Sequence, residues 1–248
     1  MKKTKSFFYF FVTLTVDVFY GSGTIEVRNL SDKGYKFMKQ AVIFDVDGVI
    51  VFSERAYQKR RRRFFEQEGI VIDQKTNDLF VGSNAKDMLN YLVPDDDNKR
   101  SRLTQAYMDF QKTDTSIDYK EIFNPDIPET LEKLAKKGIR LAIASSGPLT
   151  HIEMILETNQ IRDYFEQIIS GEMFEHSKPN PEIYHHSVTK LGISPKECLV
   201  IEDSKIGIEA AVRADLEVAA LKSHQFKIDQ SEATYQIDST KDILKLVK

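Results

Sequence analysis

Little in this chain points toward an oxidising compartment, a nucleic acid or a membrane. Cys198 is the only cysteine in 248 residues, which excludes an intrachain disulfide and a thiolate metal cluster. Set in the apolar run Cys198-Leu199-Val200-Ile201, it reads as a small buried hydrophobe rather than a nucleophile. Positive charge is not in excess. The 35 Lys and Arg face 38 Asp and Glu, for a net charge of −3, so nucleic acid is not expected as an electrostatic partner. The chain also lacks internal repeats, low-complexity tracts and any apolar run long enough to span a bilayer as a helix. What is left is an ordinary globular composition, enough for one domain with an insertion or two small domains. A cytoplasmic monomer is expected.

The first 37 residues stand apart. Lys2, Lys3 and Lys5 precede the apolar run Phe7 to Leu14, an order that superficially matches a secretory signal, but Asp17 interrupts it and no clean small-x-small site follows. Met38 lies directly before the first core strand, so residues 1–37 are read as an extension upstream of a natural start at Met38.

From there the chain is organised around Gln40 to Val51, QAVIFDVDGVIV. Ala41 to Phe44 is an uninterrupted apolar run suited to a strand buried on both faces of a parallel sheet. It ends in Asp45-Val46-Asp47-Gly48, which reads either as an Asp-Gly turn or as a ligand-binding strand end. Ser53 and Glu54 then open a helix over AYQKRRRRFFEQ, stopped by Gly69. The five consecutive cations Lys59 to Arg63 cover every direction of that helix, so at least one must point inward. Tyr57 and Arg61, four residues apart, are expected to face the site. Residues 73–118 continue as short polar helical segments, making 53–119 a helical insertion between residues 38–52 and 120–248. Beyond Pro125 and Pro128, strand and helix alternate: IRLAIASSG, QIISGE, CLVIED, EVAAL and a weak YQID are strands, and a last helix starts at Thr240. This alternation predicts an α/β fold with a doubly wound parallel sheet and right-handed crossovers.

In such a sheet every strand's carboxyl end lies on one edge, so polar groups far apart in sequence converge there. They are Asp45 and Asp47, Ser145, Lys178 in the loop before the Pro181 helix, and Glu202 with Asp203. Carboxylates about 4 Å apart repel by roughly 4 kcal/mol per pair at an effective dielectric of 20, so a cation is required. An all-oxygen donor set indicates Mg²⁺. Lys178 adds a second positive charge that suits an incoming phosphate.

FDVDGVI, ASSG, SKPNPEIY and VIEDS, in this order, resemble the four motifs of the haloacid dehalogenase superfamily, in its phosphatase and beta-phosphoglucomutase-like branch. The resemblance covers essentially all of residues 38–248 and implies a Rossmann-like core with an inserted helical cap. It implies that Asp45 is the nucleophile and forms an aspartyl-phosphate, with Asp47 as general acid and base. It also implies that Asp45, the Asp47 carbonyl and Asp203 hold Mg²⁺ with Glu202 nearby or through water, and that Ser145, Ser146 and Lys178 grip the phosphoryl group. The chain departs from the mutase-like pattern at Phe52, where an Asp is expected, at Tyr57, where a His is usual, and at Ala85, where an Arg would bind a second phosphate. Lys86 is the neighbouring cation. Asp215 stands where a Gly commonly follows the helix after the fourth motif.

His185 and His186 are adjacent, so they cannot form an i, i+4 metal pair and are assigned to the surface or to packing; His151, His176 and His224 are isolated in sequence. Ser145-Ser146-Gly147 lacks the flanking glycine pattern of a serine hydrolase. The expected function is Mg²⁺-dependent hydrolysis of a small phosphorylated metabolite, such as a sugar phosphate. The alternatives are a phosphomutase of the beta-phosphoglucomutase type and a phospho-accepting signalling domain, although the latter needs neither a leaving-group acid nor a cap.

Overall fold

In the computed structural model, the described residues are the backbone of 7–9, 12–14, 16–21 and 24–29, and residues 38–247 apart from 82, 84, 224 and 225. The chain divides into two compact units, Met1–Met38 and Lys39–Lys248. The first contains two antiparallel pairs, β1 (Phe7–Tyr9) with β2 (Val12–Leu14) and β3 (Val16–Gly21) with β4 (Thr24–Asn29). The stretch that superficially matches a secretory signal thus carries strands.

The second unit is built on a six-stranded parallel sheet. The apolar run at its start forms β5 (Ala41–Phe44), flanked by β6 (Arg140–Ser145) and β8 (Cys198–Glu202); β7 (Gln167–Ser170), β9 (Glu217–Leu221) and β10 (Tyr235–Ile237) complete the order β10-β9-β8-β5-β6-β7. Burial on both faces explains the absence of polar alternation in β5. Val42 and Phe44 join one apolar cluster with Leu131 of α5 (Ile127–Lys136) and Ile152 of α6 (Leu149–Thr158). Ala41 and Ile43 join another with Tyr184 of α7 (Glu182–Leu191) and Ile208 of α8 (Lys205–Arg213).

Between β5 and α5 lie four helices, α1 (Glu54–Gln67), α2 (Gln74–Leu79), α3 (Ala85–Leu92) and α4 (Asp97–Thr113). They have a core of their own, in which Phe64, Phe65, Leu89, Leu103 and Tyr107 are buried together. Asp73 and Asp96 cap α2 and α4 by accepting from the Thr76 and Lys99 amides.

Three local expectations are revised. Ser53 precedes α1 but its side chain accepts from no helix amide; its hydroxyl is turned to Asp47, to which it donates. The strand predicted over QIISGE ends at Ser170, and Gly171–Met173 turn as a 3₁₀ helix. At Gly171 a Cβ would lie 2.9 Å from the Ser146 carbonyl oxygen, which accounts for the glycine at this close approach. The final helix is likewise a 3₁₀ turn, Thr240–Lys245. Asp215 does take the left-handed conformation usually left to glycine, with φ of 58°.

Candidate active site

The carboxyl edge of β5, β6 and β8 brings the strand-end groups together. Phe44 pairs with Ile143 on one side and Ile201 on the other, so Asp45 emerges level with Glu202. The Asp45 amide donates to the Ile201 carbonyl at 2.9 Å, which continues the ladder one residue past the strand. The chain then turns at Gly48, where φ is +82° and a Cβ would fall 1.9 Å from an Asp203 oxygen. Only glycine permits both that conformation and the Asp203 carboxylate beside it.

Lys178 is the hub. Its ammonium donates to Asp45 Oδ1 at 2.7 Å, to Glu202 Oε1 at 2.7 Å and to the Ala144 carbonyl at 2.9 Å, and it is 6% exposed. Burial disfavours its charge, but the Asp45 and Glu202 carboxylates outweigh burial and hold its pKa well above the usual lysine value. For Asp45, withdrawal from water raises the pKa to about 8 against the pull of Lys178, with Glu202 and Asp47 adding to the rise. Asp203 is also pushed well above its ordinary range, by desolvation and then by Glu202, Asp45 and Asp47.

Glu202 is fully buried and saturated with donors. Its Oε1 accepts from Lys178 and, at 3.2 Å, from the Tyr184 hydroxyl; its Oε2 accepts from the Asp203 amide, the Ser204 amide and the Ser204 hydroxyl. It ties Lys178 to the residues that lead into α8, and Gly207 leaves room for it, since a Cβ there would lie 1.7 Å from Oε1.

Asp45, Glu202 and Asp203 each offer an oxygen within 4.8 Å of the others. Carboxyls that resist ionisation on their own, with oxygen donors only, fit a small hard dication such as Mg²⁺. Glu202 already serves five donors, which leaves Asp45 and Asp203 as the better-placed carboxylates for direct contact. Ser145 is buried, with its hydroxyl accepting from the Gly147 amide at 3.2 Å, while Ser146 is exposed beside it.

Asp47 lies one layer outward, toward α1, and its Oδ1 accepts from Ser53 at 2.6 Å. Tyr57 lies close enough to feel Asp47, which joins desolvation in raising the tyrosine pKa. Arg61, in contrast, is committed within the four-helix region, donating to Glu54 at 2.7 Å and to the Asn77 side chain at 3.0 Å. Its expected place facing the site is corrected by this buried pairing. Lys86 is exposed on α3, while 82 and 84 of the preceding loop lie outside the described residues.

The inward cation that five consecutive charges require includes a second residue, Arg60, whose guanidinium lies 4.4 Å from the centre of the Tyr57 ring. His151, isolated in sequence, is not isolated in the fold. The hydroxyls of Tyr57 and Tyr119 each lie 3.2 Å from its Nε2. Burial lowers the His151 pKa and Arg60 adds to this, while Asp47 opposes it. Helix periodicity marked Arg60 only as one of five candidates, and no local pattern marked His151 or Tyr119. His186 packs its ring edge to face against Phe174, His185 and His176 are exposed, and His224 lies outside the described residues. Cys198 is buried, and desolvation pushes its thiol up to about 12, so it is no nucleophile.

With this geometry in place, comparison with known proteins decides the family. Residues 42–221 match the family described as haloacid dehalogenase-like hydrolase. The chain belongs to that family. It is 31% identical over 184 residues to a phosphorylated carbohydrates phosphatase of Thermotoga maritima, covering 72% of this chain and 82% of that protein. It is 26% identical to a phosphoglycolate phosphatase of Aliivibrio fischeri, over 83% and 95% of the two chains. The crystal structure of a beta-phosphoglucomutase from Clostridium difficile superposes with a TM-score of 0.68 at 23% identity, over 83% of this chain and 93% of that one, a likeness of fold. This haloacid dehalogenase-like hydrolase therefore sits in the phosphatase branch of its superfamily and is an enzyme, a phosphomonoester hydrolase. No helix among its described residues is long and apolar enough to cross a membrane.

Proposed function

We propose that this hydrolase releases inorganic phosphate from a small phosphorylated metabolite, with Asp45 as nucleophile and water as the final acceptor. The observation that carries the reading is Lys178, bonded at once to Asp45 and Glu202 and buried at the strand edge beside Ser145 and Asp203. An Asp45 oxygen attacks phosphorus and the bond to the leaving oxygen breaks, giving an aspartyl-phosphate and an alkoxide that takes a proton from Asp47. Asp47 then removes a proton from water, which attacks the phosphorus, and Asp45 is released with phosphate. Lys178, the Ser145 hydroxyl and the neighbouring amides hold the phosphoryl oxygens throughout. Mg²⁺, held by Asp45, the Asp47 carbonyl and Asp203, would neutralise charge on the phosphoryl oxygens. Ser53 orients Asp47, and residues 53–119 act as the cap that limits water at the site. The named activities of the phosphatase relatives support a phosphorylated metabolite as substrate.

A panel of phosphomonoesters assayed for phosphate release with Mg²⁺ tests the reading. Turnover of several small esters, lost in Asp45→Asn, is expected. Interconversion of a hexose 1-phosphate and 6-phosphate that requires a bisphosphate and outruns phosphate release would assign the protein to the mutases. A stable phosphorylated Asp45 without turnover would make it a phospho-acceptor.

A further inference from the structure

Arg60 has no place in the chemistry above, yet it is an expensive residue to keep. It is 5% exposed, and its Nε is buried without a hydrogen-bond partner. Among the described residues no carboxylate forms an ion pair with it, whereas its neighbour Arg61 has Glu54 and its neighbour Arg63 has Asp114. The groups against it are tyrosines: the Tyr57 ring lies on the guanidinium, and the hydroxyls of Tyr107 and Tyr119 lie near enough to feel its charge. A buried cation ordinarily has an anion to balance it, and a tyrosine face does not replace one.

Its location says where an anion would come from. Tyr57 and Tyr119 both bond His151 through their hydroxyls at 3.2 Å, the Tyr57 ring carries the Arg60 guanidinium at 4.4 Å, and all three groups lie near enough to Asp47 to feel its charge. Asp47 is the group that meets the leaving oxygen in the reaction proposed above. A leaving group that extends past Asp47 into this cluster meets hydroxyls and an imidazole that can accept or donate hydrogen bonds, and the Arg60 charge that the cluster shares.

We propose that Arg60, supported by Tyr57, Tyr119 and His151, is the specificity-determining residue for a second anionic group, carboxylate or phosphate, on the leaving half of the substrate. The preferred class is then the short phosphomonoester whose alcohol is itself an anion, rather than the neutral phosphorylated polyol. This assignment rests on the phosphatase reading, and the two fail separately.

The test compares kcat/KM of the full chain, with Mg²⁺, on three size-matched esters: a phosphorylated hydroxy acid, a bisphosphate and a neutral phosphorylated polyol. One anion meeting a desolvated guanidinium should favour the acidic esters by about ten- to a hundredfold. Arg60→Met should bring the ratio of acidic to neutral esters close to one, and Arg60→Lys should restore part of it. Better turnover of the hydroxy-acid ester or of the bisphosphate identifies which anion the site takes, and either supports the assignment. Wild-type protein that hydrolyses esters without regard to this second charge overturns it while the phosphatase reading stands, as does an Arg60→Met variant that folds and keeps the wild-type ratio. If Arg60→Met does not fold, the ratio in wild-type protein and in Arg60→Lys decides. Wild-type protein that hydrolyses no phosphomonoester would instead overturn the phosphatase reading itself.

Discussion

Replacing Glu202 by Gln should destabilise the fold whether or not a metal is bound, because Glu202 anchors Lys178 before it can serve a cation. Its two oxygens accept from five donors, three of them from the start of α8. A glutamine amide offers one oxygen, so either orientation turns its NH₂ toward groups that are themselves donors. Lys178 also loses a compensating charge. Below about pH 8 the other partner, Asp45, is held largely protonated by burial in the metal-free protein. Removing one side of a buried pair costs about 3–5 kcal/mol. Relief of carboxylate repulsion works the other way, but Asp45, with its pKa raised to about 8, carries little charge at pH 6 and so repels Glu202 little there. For a unit of this size the cost corresponds to a melting temperature lower by roughly 6–20 °C. The measurement is thermal unfolding by circular dichroism at pH 6 in EDTA, with Tyr184→Phe as a calibrating variant. Loss of that single hydroxyl bond should cost about 1 kcal/mol and a few degrees. A Glu202→Gln protein that melts within 2 °C of wild type in EDTA, and differs only when Mg²⁺ is present, would show that Glu202 is a metal ligand and not an anchor.

Three further outcomes are expected. Asp45→Asn should abolish phosphate release with the fold intact, while Asp47→Asn should slow it by about 10²–10⁴; near-normal turnover by Asp45→Asn, measured by phosphate release, would exclude the covalent route. Asp45 holds a proton in the folded protein that the unfolded chain gives up near pH 3.8, so metal-free stability should fall as pH rises from about 4 to about 8. Mg²⁺ should remove that decline, and melting curves at pH 6 and 8 with and without the ion check the sign. Gly48→Ala combines a left-handed φ of +82° with a Cβ 1.9 Å from Asp203, so the variant should lose at least 1–3 kcal/mol of stability and bind Mg²⁺ more weakly. Calorimetric titration with Mg²⁺ would show an unchanged affinity if Asp203 had no part in the site.

How much of this was legible depended on what fixes each position. Asp45, Asp47, Ser145, Lys178, Glu202 and Asp203 were readable because a parallel sheet sends every strand's carboxyl end to one edge, whatever the loops do. The direction of a helix side chain is set by how the helix docks, and that is tertiary information. Tyr57 reaches His151 across 94 residues, a contact that no periodicity encodes. The same limit explains why Arg60, and not Arg61, lies against Tyr57. The two arginines are adjacent, and Asn77, on a separate helix, holds Arg61 within the four-helix region. Ser53 had the composition of a cap and the position of one, yet its hydroxyl is turned to a carboxylate six residues earlier, where it donates, and accepts from no helix amide.

The placement of β5 has a consequence for synthesis. It is the first core strand to be made and it lies at the middle of the sheet, between β6 and β8. Its second neighbour, Cys198–Glu202, follows roughly 150 residues later, about 8–30 s at ordinary translation rates. During that interval Ala41 to Phe44 is an apolar segment with at least one open edge, and the four helices of the insertion emerge while it waits. A ribosome-bound nascent chain ending before Cys198 should therefore present this segment to chaperones, and one extended beyond Glu202 should not.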